Sequence, residues 1–410
     1  MKQTFLSGAT LAALVMLVAL PLVFILLQAI FPHFSAGSLG DAFGGIPALL
    51  ADPQLPAMLG GTLWIAAGVA LVSVMIGLPL GILRGMFSLP LPRLWDLLFL
   101  IPFLTPPYIS ALSWMLALQS QGYLQQLTGW QLNDLLFSRS GIVLVMTFNI
   151  FPVVYFAVSR SLLASGTRLA VVARVHGASA WRAFWHVTLP MLSPALAAGM
   201  LLAFTLAIEE FGVPAALGSR AGVVMLTVGI EKKLADWPVD LPGAALLSLM
   251  PAALPGVVVG VGLILLWNQP FWPRSPYNTL WMLLLSYCCL LLPWPVRYVG
   301  SALRQLGPNL EPAARVHGAS PLQALRLIVL PLVFPALLAA MLMVFAVASR
   351  ELVTSLLLSP AGTQTVAVFI WRQFEQGSVG QGMAMASLTL LTGLVLMLTA
   401  LALMQRRTCG

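Results

Sequence analysis

The chain has 410 residues, 60% of them hydrophobic and 8% charged, with a mean hydropathy of +0.97. A soluble domain carries about 25% charged and about 45–50% apolar residues, so this composition excludes a soluble enzyme, a nucleic-acid-binding domain and a disordered protein, and leaves a bundle of transmembrane helices. The formal charge of +8 does not point to nucleic acid: apart from Lys2, Lys232 and Lys233 the basic residues are Arg, set in short loops between apolar runs, where they read as topology signals.

A bilayer core of about 30 Å needs about 20 apolar residues per helical crossing. In chain order nine runs qualify, near residues 9–32, 57–83, 94–118, 140–163, 193–217, 244–267, 278–300, 332–357 and 384–405. The first follows Lys2 but is too long for a signal-peptide core and lacks a convincing small-residue cleavage site, so it reads as a retained first helix. The segment 33–56 holds Asp41 and Asp52 and no basic residue, whereas Arg84 and Arg93 follow the second run. The N-terminus is therefore expected in the cytoplasm. Two further loops are strongly basic, one with Arg160, Arg168, Arg174 and Arg182, the other with Arg297, Arg304, Arg315 and Arg326. Loops 218–243 and 358–383 balance basic against acidic residues, as outside loops do. Asp96, three residues after Arg93, is assigned to the inner interface. Cys288, Cys289 and Cys409 fit neither a disulfide framework nor a metal spacing, and His33, His176, His186 and His317 suggest no metal site.

The strongest signal is an internal repeat. ARVHGASAWRAFWHVTLPMLSPAL at 173–196 aligns without gaps to ARVHGASPLQALRLIVLPLVFPAL at 314–337, with 13 of 24 positions identical. At the same offset of 141, Met200 meets Met341, Phe204 meets Phe345 and Glu210 meets Glu351. Each copy is expected to open with a short polar helix, turn at a glycine, form a second short amphipathic helix and end at Leu-Pro before the next span. An element of this kind either lies on lipid headgroups or docks into a groove of a soluble partner; two near-copies carrying Trp181, Phe184 and Trp185 favour docking.

At these residues the chain resembles the permease subunits of binding-protein-dependent ABC importers, the MetI-like superfamily. Gly177 leads to Val187 and Leu189-Pro190, and Gly318 leads to Ile328 and Leu330-Pro331, the spacing of that family's EAA loop. Two loops in one chain, with Glu210-Phe211-Gly212-Val213-Pro214 after the first, resemble the tandem, fused permeases of the ferric-iron and thiamine type. The resemblance implies an all-α, polytopic helical membrane protein with two permease halves and about eight to nine membrane segments. These are a first half at 1–243 with its EAA loop at 165–192, and a shortened second half at 244–410 with its loop at 304–333. It assigns Ala173, Arg174, Gly177, Ala178, Leu189 and Pro190 to one ATPase-coupling loop, and Glu311, Ala314, Arg315, Gly318, Ala319, Leu330 and Pro331 to the other. Where the family has its glutamate this chain has Val171 and Pro312.

No phosphate-binding Gly-x-x-x-x-Gly-Lys-Ser/Thr occurs, and none of the three lysines follows a glycine. ATP is thus to be hydrolysed elsewhere: the resemblance implies two copies of an ABC ATPase subunit and an extracytoplasmic substrate-binding protein as partners, in the bacterial inner membrane, with the chain itself binding no cofactor, metal or nucleic acid and having no catalytic residue. The cargo it implies is ferric iron, thiamine or a similar small solute. Charges inside spans default to function, so Glu210 and Glu351 are candidates for the substrate path, against a reading as a Glu351–Arg350 or cross-helix ion pair.

The count of crossings raises a conflict. Three runs lie between the two loops, and three crossings would place them on opposite faces of the membrane. Either the run at 244–267, interrupted by Pro251 and Pro255, is re-entrant and the loops share a face, or the chain is an internally deleted, non-functional permease. An ion-coupled secondary transporter with inverted repeats is a further alternative.

Overall fold

The computed structural model of the chain describes residues 12, 15–165, 168–250, 256–269, 272–307 and 309–408. Lys2, Pro251, Pro255 and Cys409 lie outside the described residues. Every regular element among those described is helical. The helices group into two compact units, one of Leu22–Gln269 and one of Met1–Pro21 with Pro270–Gly410.

The first unit contains α1 (Leu20–Ile30), α2 (Gly45–Leu50), α3 (Leu55–Met86), α4 (Pro92–Leu104), α5 (Pro107–Leu118), α6 (Tyr123–Thr128), α7 (Asn133–Leu136) and α8 (Arg139–Ser165). It continues with α9 (Arg168–Val175), α10 (Ala180–Ala183), α11 (Leu189–Glu209), α12 (Gly212–Ala221), α13 (Leu226–Ala235), α14 (Leu241–Ser248) and α15 (Gly256–Trp267). Its core is the α3, α8 and α11 trio, where Ile65, Val69, Ile142, Val154, Val158, Leu192 and Ala203 are buried together. Lipid gives helices no hydrophobic reason to associate, so close van der Waals packing must do it. Gly77, Gly81 and Gly85, four residues apart on α3, provide that contact: added Cβ atoms would lie 2.8 Å from Val154 Cβ, 2.8 Å from Val158 Cβ and 2.5 Å from Leu162 Cβ of α8.

The apolar runs do not all become straight helices. The run at 94–118 is bent by 93° between α4 and the segment that opens with α5. Pro106 and Pro107 lack N–H donors there, and Thr105 and Pro106 are extended, as residues preceding proline prefer. The run at 193–217 breaks at Glu210, and α12 and α13 then fold back on each other at 89° around Gly222. Gly212 of α12 sits against Tyr108 of α5, and Thr62 Oγ1 of α3 accepts the Leu226 N–H of α13 at 2.8 Å. The run at 244–267 is not one helix: α14 has 8 residues and α15 has 12, each short of a crossing. Contacts of α14 with α2 and of α15 with α13 keep this run in the first unit, so the contact boundary falls at 269/270 while the sequence repeat divides the chain at 243/244.

The second unit contains α16 (Leu280–Leu291), α17 (Pro293–Gln305), α18 (Leu310–Val316), α19 (Pro321–Ala324), α20 (Leu330–Ala348), α21 (Val353–Leu358), α22 (Val366–Glu375) and α23 (Val379–Thr408). Pro293 bends the expected run at 278–300 by 47°, and the run at 332–357 breaks between α20 and α21. α17 packs on α20 and α22 on α23. Tyr287 and Ser355 hydroxyls meet at 2.6 Å, tying α16 to α21. Among the described residues, four helices are long and apolar enough to cross a membrane, and up to seven if each bent pair counts as one span; Val15–Ile30, Gly256–Trp267 and Val379–Val395 are shorter apolar helices. The chain is a polytopic helical membrane protein.

Candidate functional site

The repeated segment folds into the same helical elbow in both units. In the first, α9 ends in a paired hydrogen-bond closure: the Gly177 N–H donates to the Arg174 carbonyl and the Ala178 N–H to the Ala173 carbonyl, both at 3.0 Å. Gly177 adopts φ +91, a left-handed conformation that costs a residue with a Cβ about 1–2 kcal/mol. In the second, Gly318 has φ +86, and the Gly318 and Ala319 N–H groups donate to the Arg315 and Ala314 carbonyls at 3.0 Å. His176 and His317 place Nδ1 2.9 Å from the carbonyls of Val172 and Ala313. The matched Ala, Arg, Gly and Ala positions therefore share one backbone device. Ala173, Ala178, Ala314 and Ala319 are half-buried, and Arg174, Gly177, Arg315 and Gly318 are exposed. Glu311 lies in α18, and its side chain is outside the described residues.

A serine starts the second arm of each elbow. Ser179 Oγ accepts the Arg182 N–H at 3.2 Å, and Ser320 forms a reciprocal pair with Gln323, its Oγ accepting the Gln323 N–H while its own N–H donates to Gln323 Oε1 at 2.8 Å. The second arm was expected to stop at Leu-Pro before the span. It runs on instead: Ala180–Glu209 and Pro321–Ala348 are continuous helices of 30 and 28 residues. Pro190 and Pro331 have no N–H to give and crowd the carbonyl four residues back. Each helix relieves this by widening over one turn, Phe184–Thr188 and Leu325–Val329, where the Leu189 and Leu330 N–H groups donate five residues back to Phe184 and Leu325. The two elbows also expose apolar side chains at equivalent places: Val175 is 78% exposed and Val316 84%, Trp181 71% and Leu322 72%. In the first elbow Trp181 packs against Phe184 and Trp185, with ring centroids 6.4 and 5.4 Å away.

Glu210 and Glu351 occupy equivalent breaks. Glu210 Oε1 accepts the Gly212 N–H at 2.8 Å, and its carbonyl accepts Thr227 Oγ1 at 2.9 Å. Glu351 Oε1 accepts the Thr354 N–H at 3.1 Å, and its carbonyl accepts Ser355 Oγ at 2.8 Å. Each carboxylate thus satisfies the first free donors of the helix that follows the break. Phe211, Gly212, Val213 and Pro214 are buried.

Sequence reading passed over one polar cluster. Asp96 of α4 accepts from Arg84 Nε and Nη2 of α3 at 3.1 and 3.0 Å and from the Tyr155 hydroxyl of α8 at 2.6 Å. It does more than mark the inner interface, since it joins three helices; its partner Tyr155 lies 59 positions away, beyond the reach of any local spacing. Among the described residues, no group of three or more His, Cys, Asp or Glu could hold a metal ion.

A protein of this fold, with two like elbows at the ends of long apolar helices, is a membrane protein built from a duplicated helical half. The chain belongs to the family of binding-protein-dependent transport system inner membrane components, whose model matches residues 73–252 and again 243–408. It is similar to the molybdenum transport system permease protein ModB of Mycobacterium tuberculosis, 28% identical over 250 residues, 60% of this chain and 89% of that protein. It is similar also to the sulfate transport system permease protein CysW of Escherichia coli, 30% identical over 260 residues, 60% of this chain and 83% of that one. The putative 2-aminoethylphosphonate transport system permease protein PhnV of Salmonella typhimurium is 27% identical over 185 residues, 44% of this chain and 69% of its own. The chain is a multi-pass permease component of a transport system rather than an enzyme.

Proposed function

We propose that the chain forms the substrate path of an ATP-driven importer and couples it to separate ATPase subunits through the elbows at 165–192 and 304–333. The observation that supports this reading is the repeated elbow itself, the same backbone device built twice and each time fused to a long apolar helix. A helix that continues from the docking arm into the bilayer carries a push at its exposed end directly into the path, without a hinge at Leu-Pro. In this reading the partners are two ATPase copies and an extracytoplasmic receptor that delivers the solute, ATP is bound by the ATPases alone, and the N-terminus is cytoplasmic. Glu210 and Glu351 border the path at the two helix breaks.

The solute is small and receptor-delivered. The named relatives serve molybdenum, sulfate and 2-aminoethylphosphonate systems, which favours an oxyanion. The carboxylates Glu209 and Glu210 at the first break, and the likeness of Glu210–Pro214 to tandem permeases, favour ferric iron or thiamine as the second reading. Proteoliposomes holding the chain, its ATPase subunits and its receptor test the mechanism. Uptake is expected with enclosed ATP and absent with a proton or sodium gradient alone. Gradient-driven uptake would establish the secondary transporter, and failure of any ATPase subunit to bind would establish a decayed permease.

A further inference from the structure

The two elbows share a backbone but not a surface. At the most exposed apolar position of the second arm, one presents Trp181 and the other Leu322; one turn on, Trp185 is matched by Arg326, which the exposed Leu325 and Leu327 flank. Trp181 is also braced by Phe184 and Trp185, whereas nothing aromatic stands in α19 or in the widened turn after it.

With each Leu-Pro taken as the edge of the hydrocarbon core, these side chains stand clear of lipid. Trp181 is eight residues before Leu189 and Leu322 eight before Leu330, so each lies about 12 Å along the helix from its Leu-Pro. A headgroup layer is about 5–8 Å deep on each side. An interfacial anchor belongs within that layer, and an apolar side chain beyond it, 71% exposed in this chain, needs a protein partner.

We propose that the two elbows are unequal anchors for the ATPase subunits: the first, through Trp181 braced by Phe184 and Trp185, holds its subunit tightly, and the second, through Leu322, holds its subunit weakly. The inference rests on the reading of the elbows as ATPase docks and adds an order of strength to it. Identical backbones present the two knobs to sockets in the same way, so affinity follows the side chain. Tryptophan in a rigid setting dominates binding energy at protein interfaces, while leucine is under-represented among such residues. The asymmetry lets one subunit stay attached to the permease while the other exchanges.

The test uses the full-length chain, tagged, co-expressed in its host with the ATPase subunits and purified in detergent. The readout is the half-life with which ATP hydrolysis stays on the immobilised chain after dilution, together with monodispersity and thermal unfolding of the chain. Wild type is expected to lose activity in two phases. Trp181→Leu is expected to shorten the slow phase at least about tenfold, while Leu322→Ala changes it less than about threefold. Trp181→Phe, which retains a braced ring, keeps most of the slow phase. Adding Leu322→Trp to Trp181→Leu restores a slow phase through the other elbow. Equal losses from the two elbows, or no loss from either while wild type retains hydrolysis, overturn the inequality, the latter by assigning the knobs to lipid. No hydrolysis retained by wild type overturns instead the reading of the elbows as docks.

Discussion

Glu210 and Glu351 combine a structural hydrogen bond with the place in the transport path proposed for them. Each carboxylate accepts a backbone N–H at the start of the helix beyond a break. A glutamine can make that same bond through its amide oxygen but carries no charge. The double variant Glu210→Gln with Glu351→Gln is therefore expected to unfold at the wild-type temperature in detergent and to take up the receptor's solute about tenfold more slowly. Glu210→Ala removes the acceptor as well and is expected to cost about 1 kcal/mol of stability, as loss of a helix cap does. Uptake unchanged in the double glutamine variant would remove both residues from the path. At this scale the sequence was readable where a residue acts through its own backbone neighbours: Gly177 and Gly318 were visible as turns because each bonds three residues back and the alanine after it five residues back. Asp96 and Tyr155 were not paired in advance, since they lie 59 positions apart and meet only because α4 is laid along α8.

Among elements, the first unit is organised by the line of small residues on α3. Val154, Val158 and Leu162 of α8 press against Gly77, Gly81 and Gly85 with no room for a methyl group. Gly81→Leu is expected to push α3 and α8 apart and cost about 1–3 kcal/mol or more, read as a lower unfolding temperature and a smaller monodisperse fraction in detergent. Gly60→Leu, on the same helix where an added Cβ meets nothing within 4 Å, serves as the control and should change little. Hydropathy located these helices because 57–83 and 140–163 are long apolar stretches without internal breaks. It missed the bends at Pro106-Pro107, Glu210 and Pro293, because a running average of apolarity carries no information on where hydrogen bonds are missing. The prolines were legible as punctuation, yet Pro79 and Pro152 stay within helices whereas Pro106 ends one. Which outcome follows is decided by the helices packed around each.

For the whole chain, the open question was the number of crossings between the two elbows, and two short helices bear on it. α14 and α15 replace the expected single span at 244–267, and α15, about 18 Å long, falls well short of a hydrocarbon core of about 30 Å. We propose that this run enters and leaves on one side, which with the other two expected spans crossing sets both elbows on the same face. A topology reporter inserted between 268 and 278 is then expected to be active on the outside. Activity on the inside would mean a literal crossing, opposed elbows and the loss of one ATPase contact. The duplicated family, the basic loops and the elbow positions were all legible from the repeat, because identical sequence needs identical local bonding. The grouping of the chain into units was not, since α14 and α15 are sorted by packing rather than by ancestry.

The widened turns before Leu189-Pro190 and Leu330-Pro331 recur at one place in both units. Each is a one-residue surplus in the helix, set at the same distance from its glycine in both units. A proline that has no N–H and crowds the preceding turn imposes the same widening wherever the sequence repeats it, so the turn is a property of the repeated segment itself. The glycine line of α3 and the Arg84–Asp96–Tyr155 cluster lie in the first unit, and in the second Val296 stands 141 positions after Tyr155. The two units thus hold one elbow in common, while the first packs its long helices through contacts of its own.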